Sequence, residues 1–97
     1  MNGNQKNAYY RNVQKGSYIP FLTYVMFTFS LHLSDIAEIA GMNYSTLRNG
    51  FRDTSRISLD KLEAIKQSLI SYIDANFNKD SRYKAYCIVR DAMENKE

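Results

Sequence analysis

Ser34-Asp35-Ile36-Ala37-Glu38-Ile39-Ala40-Gly41-Met42-Asn43-Tyr44-Ser45-Thr46-Leu47-Arg48-Asn49-Gly50-Phe51 is the stretch that decides the fold. Ile36, Ala37, Ile39 and Ala40 give a first short helix one apolar side. Ser34 or Asp35 opens it, with a side-chain oxygen accepting from a free backbone N–H. Gly41 follows the last turn, where a positive φ is needed and glycine adopts one without a Cβ clash. Ala37 is small enough for two helices to approach, Met42 fills the elbow, and Asn43 caps a second helix over about 44–51. Leu47 and Phe51 lie four apart and point inward. Tyr44, Ser45, Arg48 and Asn49 then face outward, with Arg52 at the far end. A buried helix has no use for such hydrogen-bonding side chains, whereas a helix offered to the major groove of DNA does.

Working outward, Ser17 and Pro20 suggest the start of a preceding helix, because proline is tolerated in a first turn. Phe21, Val25 and Phe29 recur at i, i+4 and i+8, flanked by Leu22 and Met26. Residues 27–33 also alternate apolar and polar as a half-buried strand would. Helix is the preferred reading, and an α+β domain with a strand at 27–33, such as a winged variant, is the alternative. After the pair, 52–56 is a polar loop. Ser58 caps a helix reaching about residue 75, with Leu59, Leu62, Ile65 or Lys66, Leu69, Ile73 and Phe77 in register. Lys61, three residues after the cap, leaves the capping box incomplete. Residues 76–80 form a turn, and Ser81 caps a last helix to about residue 95. The expected fold is all-α: a small bundle of about five helices containing a helix-turn-helix, in one domain over 18–97.

Composition bounds the function. The 97 residues suffice for one modest core. The net charge of +3 sits in residues 1–20, where Lys6, Arg11 and Lys15 meet no acid, while 34–56 and 57–97 each balance. Residues 1–17 are rich in Asn, Gln, Gly and Lys, and read as a flexible basic arm, either solvated or DNA-contacting. Cys87 is the single cysteine, which excludes an intrachain disulfide and points to a reducing, cytoplasmic compartment. One Cys and one His (His32) cannot supply the four ligands of a structural zinc site. There is no nucleophile–base pairing at a recognisable spacing and no phosphate-cradling glycine loop. An enzyme is therefore not expected, nor a metal, cofactor or small-molecule ligand. The apolar run 19–33 follows a basic stretch, as in a secretory signal, but Pro20, Thr23, Thr28, Ser30 and His32 interrupt it and no clean cleavage site follows. At 15 residues it is too short to span a bilayer, and it reads as a core element.

Ile36-Ala37-Glu38, Gly41-Met42, Ser45-Thr46-Leu47 and then Ser58-Leu59 with Leu62 carry a resemblance to the phage-repressor and Cro-like helix-turn-helix family, over about residues 31–69. Two positions depart from it: Gly50 stands where the family usually has a branched apolar residue, and Leu33 where it usually has a polar one. The resemblance implies a recognition helix whose N-terminal part enters the major groove. Arg48 would then donate to guanine O6 and N7, and Asn49 would pair with the adenine edge. Tyr44 and Ser45, with Asn43 in the same turn, would meet bases or phosphates. Arg52 and Arg56 would take phosphates, as would the free N–H groups of the helix beginning at Ser34.

On this reading the chain is a sequence-specific double-stranded DNA-binding protein, a repressor-like transcription regulator of bacterial or phage type. Tyr83, Tyr86, Cys87, Arg90 and Met93 on the last helix either close the back of the core or form a homodimer interface. A protein-interaction module on the same fold, antitoxin-like or an adaptor and binding through that helix, is the competing expectation.

Overall fold

A computed structural model of the chain describes residues 3–95, with side chains from Lys15 onward. Among the described residues there are five α-helices and no strand: α1 (Gly3–Thr28), α2 (Leu33–Ala40), α3 (Tyr44–Arg52), α4 (Leu59–Asn76) and α5 (Tyr83–Glu94). One 3-10 turn, Thr54–Arg56, links α3 to α4. The all-α expectation holds, and the strand alternative for 27–33 does not.

The core forms where the apolar stripes of these helices meet. α1 supplies Tyr18, Phe21, Leu22, Val25 and Phe29, and α4 supplies Leu62, Ile65, Leu69, Ile70 and Ile73, all buried. α4 packs on both α1 and α2, which brings Ile36 and Ala37 onto the same core. Leu47 from α3 and Ile57 from the linker close one end. Tyr86 closes the other, its ring edge-on to Phe29 at 5.5 Å, with Phe77 against Phe29 at 4.8 Å. Aromatic pairs prefer such tilted and edge-on geometries.

Several expected boundaries are corrected. Ser17 and Pro20 do not start α1, which begins at Gly3 and has Pro20 in its interior. Proline lacks an N–H for the carbonyl four residues back, here that of Gly16; both residues are exposed, so water reaches that carbonyl. The expected arm over 1–17 falls on residues 1 and 2 and on side chains up to residue 14, which lie outside the described set. Ser30, at φ 56°, ends the α1 segment in a left-handed turn.

α2 is opened by His32, neither by Ser34 nor by Asp35 as the cap residue. The carboxylate of Asp35 accepts the His32 N–H at 2.8 Å, so helical geometry begins at Leu33, one residue early. α5 is not capped by Ser81. Asp80 accepts the Arg82 N–H at 2.8 Å and grips its guanidinium at 2.7 Å, and these bonds hold the Asp80 carboxyl down to about 2. Ser58, by contrast, caps α4 as expected, accepting from the Lys61 N–H at 3.1 Å.

One buried charge binds three helices together. Lys66 on α4 is 4% exposed, yet its ammonium reaches Glu94 of α5 at 2.8 Å and Glu63 at 3.1 Å. The Tyr18 hydroxyl of α1 donates to Glu63, and the Tyr18 ring lies 5.6 Å from the ammonium. Gln67 donates to both carboxylates. A buried charge is tolerated only when paired and hydrogen-bonded in this way.

Candidate nucleic-acid interface

Residues 41–43 join α2 to α3. Gly41 adopts φ 65°, and its N–H donates to the Glu38 carbonyl at 3.1 Å while that of Met42 donates back to Ala37 at 2.9 Å. These bonds satisfy the last carbonyls of α2 and turn the chain sharply. Asn43 then opens α3, its Oδ1 accepting from the N–H groups of Ser45 (2.8 Å) and Thr46 (3.3 Å). Asn43 is among the residues expected from the sequence to contact DNA. Its oxygen is engaged in the cap, leaving only the amide NH2 for an outside acceptor.

α3 has two contrasting sides. Leu47 is fully buried and Gly50 is buried beside it, while Thr46 and Phe51 are half-buried. Tyr44, Ser45, Arg48, Asn49 and Arg52 are all exposed, as is Ser34 in the first turn of α2. Neither Arg48 nor Arg52 has a hydrogen bond or ion pair within the described residues. Their guanidiniums keep all five donors for a partner. Arg56 is exposed too, but shares its charge with Asp53 at 3.7 Å. Asp53 caps the 3-10 turn, and bonds from the Ser55 hydroxyl and N–H hold its carboxyl below the usual range.

Gly50 lies where α3 meets the linker that follows it. A Cβ built on Gly50 would stand 2.9 Å from the Cβ of Ile57. Ile57, arriving from the linker, fills the space a branched side chain on α3 would occupy. α3 continues through Gly50 to Arg52, close to the expected 44–51. Phe51 is half-buried and packs against the edge of the core.

Two neighbours of α3 escaped sequence reasoning. Lys61 of α4 borders an open recess of about 340 Å³ with Asn43 and Thr46, placing an exposed cation at the N-terminal end of α3. Lys15 of α1 donates to the Thr54 carbonyl at 3.3 Å, tying α1 to the exit of α3. Both are contacts between residues distant in sequence, which no local pattern announces.

The residues proposed for a dimer interface fare differently. Tyr86 is fully buried and belongs to the core, so it cannot meet a second chain. Tyr83 and Arg90 both donate to Asp74 of α4, at 2.6 and 3.0 Å, and Cys87 and Met93 are half-buried against the core. These side chains close the back of the bundle.

The class that fold and site define is a small all-α bundle in which a glycine turn sets one short helix with an exposed polar ridge against another. No single helix among the described residues is long and apolar enough to cross a membrane. Comparison with family models, with curated proteins and with solved structures returns no match.

Proposed function

We propose that the chain binds double-stranded DNA in a sequence-specific way and acts as a repressor-like transcription regulator, with α3 as its recognition helix. The observation that carries this reading is the division of α3 into a buried side (Leu47, Gly50) and an exposed side whose two arginines have no partner among the described residues. Arg48 and Asn49 have the donor and acceptor sets that match guanine and adenine in the major groove. Arg52 and Lys61, at opposite ends of α3, suit phosphates, which position a protein without reading sequence. Ser34, exposed in the first turn of α2, offers its hydroxyl to another phosphate. Repression would follow sterically, by occupying a site that polymerase or a competitor needs.

Selection of bound sites from a random duplex pool tests this directly. A short consensus should emerge. Against it, Arg48→Ala should lose about 1–3 kcal/mol, with the discrimination lost at one base pair. A pool that never enriches, or an Arg48→Ala variant with full affinity and intact fold, would remove the reading. The exposed apolar residues of α5 favour a second reading, a protein-interaction module, which that failure would promote.

A further inference from the structure

The outward side of α5 and the adjoining end of α1 are uncovered. Ile88 is 74% exposed and Phe27 83%. Arg82 donates to the Thr28 carbonyl, which sets the start of α5 beside the end of α1 that carries Phe27. Between the two helices runs an open groove of about 600 Å³, lined largely by Pro20, Phe21, Tyr24, Val89, Ala92 and Met93. Large apolar side chains flanking an apolar groove mark an interaction surface when they lie together.

We propose that this face pairs with the same face of a second copy, with the two α5 helices antiparallel. The argument for a second copy is charge that complements itself. Ala85, Ile88 and Ala92 recur at the three-and-four spacing of a helix–helix seam. Lys84 comes just before Ala85, and Asp91 comes three residues after Ile88; both are exposed. In an antiparallel pair, Ile88 of each copy lies over Ala85 of the other, large against small. Lys84 of each copy then meets Asp91 of the other, twice by symmetry. A two-fold interface requires a patch that matches itself, and opposite charges flanking an apolar centre meet that requirement. A parallel pair would carry the two Lys84 side chains to opposite flanks of the seam, where neither meets Asp91 of the other copy. Lys84 has no ion pair within the described residues, while Asp91 already takes Arg90 at 3.2 Å and has a second oxygen free.

This inference stands apart from the DNA reading. α3 packs on α2 and the 3-10 turn, whereas the paired face belongs to α1 and α5, so pairing leaves the polar ridge of α3 open. Of the residues expected from sequence at a dimer interface, Met93 lines this groove, while Tyr86 lies in the core.

Sedimentation equilibrium of the full chain, without DNA, tests it. The protein should show a reversible monomer–dimer equilibrium. Ile88→Asp should weaken it about tenfold or more, with Phe27→Asp as a second variant should the first lose helicity by circular dichroism. Lys84→Glu should weaken pairing, and adding Asp91→Lys should restore it. A chain that stays monomeric from nanomolar to millimolar concentration would overturn the proposal. So would a folded Ile88→Asp or Phe27→Asp variant that pairs as tightly as the parent. Failure of the double charge exchange to rescue Lys84→Glu would overturn the antiparallel arrangement.

Discussion

Gly50 sits inside α3, two residues before its end, and glycine within a helix ordinarily costs about 1 kcal/mol relative to alanine. Gly50→Ala should nevertheless destabilise the protein, by about 1–2 kcal/mol. The new methyl would stand 2.9 Å from the Ile57 Cβ, a branch point held to its backbone and not the free end of a flexible chain. Overpacking of this kind costs about 1–3 kcal/mol, which exceeds the propensity gain. Denaturant unfolding measures the sign, and a more stable variant would show that Ile57 can retreat. Tyr86 makes the opposite case. Its hydroxyl is buried with no hydrogen-bond partner among the described residues, and burial pushes its ionisation far above the usual value. A buried unpaired hydroxyl loses its water bonds for nothing. Tyr86→Phe should therefore raise stability by about 1 kcal/mol while leaving the ring contacts with Phe29 in place; a loss of similar size would point to a partner for that hydroxyl.

At the scale of elements, the joint between α1, α4 and α5 depends on ionisation. Burial alone would raise Glu63, but hydrogen bonds from Tyr18, Gln67 and Lys66 outweigh it and hold the carboxyl below its ordinary 4.5. Burial alone would lower Lys66, but Glu94 and Glu63 outweigh it and hold the ammonium above its ordinary 10.5. A lowered carboxyl stabilises above its unfolded value, and that contribution is lost as pH falls through the folded one. A raised ammonium stabilises fully below its unfolded value, and that contribution is lost as pH rises through the folded one. Stability should thus decline below about pH 4.5 and again above about pH 10.5. Lys66→Met should shrink the acid-side loss; an unchanged acid limb in denaturant titrations would contradict the network.

What the sequence made legible at this scale follows from range. Gly41, Asn43 and Ser58 were readable because a cap or a left-handed turn is decided within three or four residues. Leu47 and the α1 stripe were readable because helical period is local too. The burial of Lys66 was not, since Ile65 and Lys66 fit the period equally and only Glu94, 28 residues away, decides between them. Nor was the start of α2 or of α5. In each an aspartate (Asp35 or Asp80) binds a neighbour's N–H from beyond or before the residue that a cap rule inspects. Ile57 over Gly50 needed the linker's path. The exposed ridge of α3 was legible as a pattern; the tie of Lys15 to Thr54 and the position of Lys61 beside it were not.

For the whole molecule, the arrangement separates two surfaces. α3 and the first turn of α2 carry exposed polar and cationic groups, while α1 and α5 carry Phe27 and Ile88, the most exposed large apolar side chains among the described residues. The net charge of +3 is small, so affinity for a polyanion must come from placement, and Arg48 and Arg52, without a partner among the described residues, are the placed charges. The most direct measurement of this account is the affinity of the full chain for duplex DNA across a range of salt concentrations. Binding should weaken with a log–log slope of about −0.9 for each phosphate neutralised, and Arg52→Ala should reduce that slope by about one phosphate. A chain that ignores duplex DNA at low salt, or binds it with no salt dependence, would contradict the assignment of α3 as a DNA-reading helix.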